Sequence, residues 1–154
     1  MNLRNYIFGA VVLATAPFFN KAQASAQTAP LAVDTPMVHD PVMAFEDGQY
    51  YLFCIGHGIT QMTSPDRRHW TIKPDGVLPE GKIPAWTRDS VPGFETHIWA
   101  PDVIKYRGKW YLAYSCSTFG KNTSAIGLLS NTSLANADGW KDEGCIVASK
   151  GDRD

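Results

Sequence analysis

Net charge, cysteine and long apolar runs are all scarce in this sequence. Fourteen Lys and Arg stand against fifteen Asp and Glu, for a formal charge of −1. That balance gives no long-range attraction for nucleic acid or an anionic lipid surface, and a neutral partner fits it better. The three cysteines are Cys54, Cys116 and Cys145, an odd number that leaves at least one thiol free. Their spacings do not resemble a zinc site, and His39, His57, His69 and His97 show no metal-ligand spacing either. Each cysteine lies in or beside an apolar, strand-like run and reads as a small buried hydrophobe. The uncharged apolar stretch over residues 6–19 is short for a membrane span and carries Pro17 near its end.

That stretch fits an export signal. Arg4 supplies the positive start, and Ala22-Gln23-Ala24 and Ala24-Ser25-Ala26 both match a small-residue cleavage site. The expectation is a signal peptide over 1–26 and a secreted or periplasmic chain starting near Gln27, with no membrane contact after cleavage. An uncleaved anchor is the alternative. Hydrophobic residues make up 44% of the chain, enough for a packed core, and aromatics 12%. Aromatic faces with polar tips suit sugar rings and β cores alike.

Residues 27–37 read as a leader, and the pattern after them is β throughout. Strands are predicted over 42–45, 50–55, 59–63 and 70–73, with Asp47-Gly48 as a hairpin turn between the first two. The order then recurs over 101–106, 110–116 and 125–130, with a fourth strand containing 145–149, and Arg107-Gly108-Lys109 as the turn. Pro41 and Pro101 lie 60 residues apart, as do Gly48 and Gly108, Tyr51 and Tyr111, and Leu52 and Leu112. Trp70 and Trp140 lie 70 apart, the excess falling in the longer 131–139 loop. Four strands per unit at this period indicate propeller blades rather than the unrelated hairpins of a sandwich. Ser64-Pro65-Asp66 ahead of Trp70 reads as a structural hairpin tie. Two blades are fewer than the roughly three repeats a stable array needs, so the expectation is a piece of a longer propeller.

His39-Asp40-Pro41 opens the first blade, where an inner strand starts at the channel mouth. A carboxylate there can aim at a bound water, with Pro41 holding Asp40 in extended backbone. Asp before Pro is also an ordinary turn former. In the second blade Asp102 follows Pro101 instead of preceding it. Side chains alternate along a strand, so Asp40 and Asp102 are not equivalent, and Asp102 reads as structural or supporting.

His39-Asp40-Pro41, Trp99-Ala100-Pro101-Asp102 and the block from Tyr114 to Gly127 (YSCSTFGKNTSAIG) together resemble glycoside hydrolase family 43, and the last block looks most like its endo-1,5-α-L-arabinanases. The resemblance spans about residues 36–150. It implies an all-β, five-bladed β-propeller, of which residues 27–154 form the N-terminal part of the catalytic domain with about two blades. It implies an inverting hydrolase of α-1,5-linked arabinan with three carboxylates: a base, an acid, and a third that tunes the acid. Asp40 matches the base. Trp99 and Phe119 match aromatic positions against arabinose units, although blade packing would also explain them. Gly120 matches a backbone position close to the sugar. Expected partners are arabinan or arabino-oligosaccharides. The resemblance brings no cofactor to this chain, but implies a channel cation, calcium, in the full propeller. The acid and the tuning Asp fall beyond Asp154, and Asp152 and Asp154 lack the following Pro, so the chain alone is expected to be inactive. Two alternatives stay open: an exo-acting β-xylosidase or α-L-arabinofuranosidase on the same propeller, and a non-catalytic sugar-binding propeller.

Overall fold

A computed structural model describes residues 29–149 of the chain. The expected export signal, Asp152 and Asp154 lie outside these residues. In chain order the elements are β1 (Leu31–Val33), β2 (Val42–Glu46), β3 (Gln49–Cys54), β4 (Gly56–His57), β5 (Thr60–Ser64), β6 (Trp70–Lys73), α1 (Trp86–Ser90), β7 (His97–Tyr106), β8 (Lys109–Ser117), β9 (Ser124–Asn131) and β10 (Lys141–Ala148). They form two antiparallel sheets, ordered β1-β6-β5-β3-β2 and β10-β9-β8-β7-β4. Each sheet is one four-stranded blade with an added edge strand.

Turn chemistry sets the register of each blade. Asp47 and Gly48 have φ of 49° and 82°, and Arg107 and Gly108 have 47° and 79°. Two successive positive φ values make the two-residue turn whose twist matches its flanking strands. The ladders therefore coincide at an offset of 60. Val42 faces Phe53 and Glu46 faces Gln49 in the first blade. Asp102 faces Ala113 and Tyr106 faces Lys109 in the second.

Four features differ from the sequence reading. Residues 31–33 of the supposed leader form β1, which pairs Leu31 with Ile72 and Val33 with Trp70. β7 begins at His97 rather than Pro101, with a register shift between Trp99 and Asp102. β10 spans Lys141–Ala148 and so ends one residue before the expected 149. The connection between the blades carries the short α1, whose Trp86 donates Nε1–H to the Asp142 carboxylate at 3.1 Å.

The main core lies between the blades. Tyr51 and Phe53 of the first pack against Trp110, Leu112, Tyr114 and Cys116 of the second, because alternate residues of β3 and β8 point toward each other. Burying a large apolar side chain contributes about 1.5–3 kcal/mol. Leu52, Cys54, Met62 and Trp70 form a smaller cluster on the far face of the first blade. On the second blade Ile104 is 64% exposed and Tyr106 54%. Ile104 corresponds in register to Ala44, which packs into the inter-blade core. The outer face of blade two therefore presents the same apolar side that blade one uses for docking.

Glu46, at the end of β2, ties the blades together. Its buried carboxylate accepts from Trp110 Nε1–H at 2.6 Å, Lys105 Nζ at 2.9 Å, Ser133 Oγ at 2.9 Å and Leu134 N–H at 2.6 Å. Burial acts to raise its pKa, but these four donors outweigh it and hold the carboxyl at about 2.

The hairpin tie forms as expected. Ser64 Oγ accepts from Arg67 N–H, Asp66 accepts from the backbone N–H of Arg68 and His69, and Trp70 is buried beside them. The cysteine reading needs one correction: all three thiols are free and Cys54 and Cys116 are buried, but Cys145 is exposed. It sits on β10, which is the edge strand of its sheet. Burial raises the Cys54 thiol and pushes Cys116 up to about 11, which keeps both protonated and inert.

Candidate active site

Asp40 stands immediately before β2, and the expected extended backbone is not what the structure shows. Its φ is 46°, in the left-handed region. The cause is local. The His39 carbonyl accepts from Ile55 N–H at 3.1 Å, which fastens the segment to the end of β3, and the chain must then turn sharply into β2. Asp tolerates this region better than most residues. The side chain is about half exposed, 49%, with His39 Nδ1 3.3 Å from Oδ2. An accessible carboxylate on a constrained backbone can reach a solvent-derived nucleophile.

Ala100 precedes Pro101 as Asp40 precedes Pro41, and its φ is 41°. The left-handed step before the proline is thus a property of both blades, and only the first fills it with a carboxylate. Asp102 lies on β7 beyond the register shift, is exposed, and pairs with Ala113. It corresponds to Val42, not to Asp40, as its place after the proline indicates.

Trp99 and Phe119 are brought together from β7 and the β8–β9 loop, with ring centroids 6.0 Å apart and planes inclined by 36°. Trp99 is half-buried, whereas Phe119 is 86% exposed. An aromatic ring left this open contributes little to the core. The two rings line a cleft of about 310 Å³ together with His57, Glu95, His97 and Thr118. The loop that carries Phe119 is pinned, since Thr118 Oγ1–H donates to the Pro92 carbonyl at 2.8 Å and Lys121 N–H to the Thr118 carbonyl at 3.1 Å. Gly120 follows with φ of 72° and open space where a side chain would stand. The turn requires glycine there, and nothing in the chain crowds it. Asp40 does not line this cleft.

His57 and His97 were not visible as site residues. They are 40 positions apart in the sequence and meet only because β4 crosses to pair with β7. No three His, Cys, Asp or Glu side chains converge to hold a metal among the described residues. The cleft lining combines Glu95 with a row of rings.

The two blades thus place an accessible carboxylate at one inner-strand start and an open aromatic cleft at the next. The profile described as "Glycosyl hydrolases family 43" matches residues 33–154, and the chain belongs to that family. The extracellular exo-α-(1→5)-L-arabinofuranosidase ArbA of Cellvibrio japonicus is 43% identical over 120 residues, covering 76% of this chain and 34% of that protein. The extracellular endo-α-(1→5)-L-arabinanase 1 of Bacillus subtilis is 36% identical over 148 residues, covering 92% of this chain and 44% of that protein. The crystal structure of an exo-1,5-α-L-arabinanase from a bovine ruminal metagenomic library superposes with a TM-score of 0.71 at 48% identity, covering 79% of this chain and 39% of that one. The chain thus spans less than half the length of these relatives, and the fold is the five-bladed β-propeller of the arabinanases, represented here by two blades.

Proposed function

We propose that the chain supplies the first two blades and the catalytic base of an inverting glycoside hydrolase acting on α-1,5-linked arabinan. The observation that carries this is the pairing of half-buried Trp99 with exposed Phe119 along an open cleft on a family 43 scaffold. The rings present apolar faces to furanose units. Asp40 takes a proton from the water that attacks the anomeric carbon, while an acid carboxyl from a later blade protonates the leaving oxygen. Inversion calls for the two carboxyls about 6.5–9.5 Å apart, leaving room for that water. Gly120 leaves its backbone open to the sugar.

The same reading makes residues 1–26 an export signal and 27–154 the beginning of the catalytic domain, with secretion in keeping with the extracellular relatives. No helix among the described residues is long and apolar enough to cross a membrane.

Exo action on the same linkage is the second reading, favoured by the names of two of the relatives. The test is product analysis of the complete propeller on linear arabinan. A ladder of oligosaccharides with inverted anomeric configuration by NMR supports endo action, and release of one short product from chain ends supports exo action. Intact arabinan alongside cleaved aryl xylosides would overturn the proposed substrate.

A further inference from the structure

Two histidines outside the assigned residues extend the aromatic surface of the cleft. His57 and His97 stack with ring centroids 5.3 Å apart and planes inclined by only 20°. His97 lies 6.2 Å from Trp99, which in turn lies 6.0 Å from Phe119. The four rings make one continuous row, and all of them line the same cleft.

The row is built, not incidental. β4 is a two-residue strand that leaves the first blade and pairs with the start of β7, setting His57 directly across from His97. Gly58 N–H donates to the Thr96 carbonyl at 3.1 Å, and His57 Nδ1 lies 2.7 Å from Thr96 Oγ1. Gly58 has φ of 67°, and a Cβ there would collide with the Leu78 carbonyl, so only glycine lets the backbone pass. These contacts fix the imidazole of His57 while leaving both histidines exposed. Strand pairing sets the two rings side by side, and because both stay exposed the stack adds little by burial and keeps its faces open to the cleft. Among the described residues, His57 Nε2 and both ring nitrogens of His97 have no hydrogen-bond partner. A flat face flanked by free nitrogens suits a sugar, whose ring stacks and whose hydroxyls donate or accept.

We propose that His57 and His97 form a further sugar subsite, continuous with Trp99 and Phe119, which holds the distal part of a longer oligosaccharide. The proposal rests on the arabinan reading above. It makes the histidine pair a determinant of chain-length preference rather than of bond cleavage.

The test is calorimetric titration of the complete propeller, with Asp40→Asn as the parent to prevent hydrolysis, using arabinobiose and arabinohexaose. One lost stacking contact weakens binding about three- to tenfold. His97→Ala and His57→Ala each weaken arabinohexaose by that factor and arabinobiose by less than about twofold, and His97→Phe recovers most of the loss. An equal loss for both ligands, or none for the hexaose in variants that keep the parent's thermal transition, overturns the subsite. A parent that binds neither sugar overturns the arabinan reading and the subsite with it.

Discussion

Asp40 and Ala100 occupy the same left-handed step of two successive blades, at φ of 46° and 41°, each just ahead of a proline. The backbone that presents the candidate base is therefore repeated where no base stands. Blade architecture sets the conformation, and the side chain at one blade exploits it.

The relationship separates activity from stability at Asp40. Asn also tolerates the left-handed region, so Asp40→Asn should leave the thermal midpoint nearly unchanged while removing the base. The expected loss in kcat is about 10²–10⁴-fold, measured on linear arabinan with the complete propeller.

Ala100 holds the same backbone without the tolerance of Asp. Ala100→Gly should stabilise the protein by up to about 1 kcal/mol, since glycine meets no steric cost at positive φ. Urea denaturation would show a higher midpoint at unchanged slope. A lower midpoint would mean that the Ala100 methyl makes contacts that outweigh the strain.

Glu46 gives the fold a defined acid limit. Its pKa is about 2 when folded, below the ordinary value of 4.5. A depressed carboxyl contributes stability that is fully present above the unfolded pKa and lost as pH falls through the folded one. The window is thus from about pH 4.5 down to about pH 2, and the contribution is on the order of 3 kcal/mol. Glu46→Gln should cost roughly 1.5–3 kcal/mol at neutral pH and flatten the acid limb, read from denaturation midpoints across that range.

Gly127 lies on β9 under two rings. A Cβ at this position would fall 2.5 Å from Tyr114 Cζ and 2.7 Å from Trp86 Cζ2. Gly127→Ala should destabilise by about 1–3 kcal/mol through overpacking and shift the Trp86 fluorescence. An unchanged midpoint would show that α1 lifts away at little cost.

Phe119 offers the opposite case, because it is 86% exposed. Phe119→Ala should leave the melting temperature unchanged and weaken binding of arabino-oligosaccharides about three- to tenfold. A drop in stability with no change in binding would reassign the ring to packing.

The sequence by itself determined the blades. Asp47-Gly48 and Arg107-Gly108 each close a hairpin through the φ values of two adjacent residues, and alternation along β3 and β8 then decides which side chains face inward. Those are short-range effects, legible at a spacing of one or two residues, and the 60-residue recurrence made them legible twice. The motifs around Asp40, Trp99 and Phe119 carried the family for the same reason, as fixed residues at fixed spacing. Only the tertiary structure decided the rest. The donors to Glu46 come from Lys105, Trp110, Ser133 and Leu134, between 59 and 88 positions away. His57 reaches His97 only once β4 has crossed between blades, and the residue before Asp40 is fastened by Ile55 from beyond the far end of β3. Each of these depends on where a distant backbone passes, and no local periodicity encodes that path.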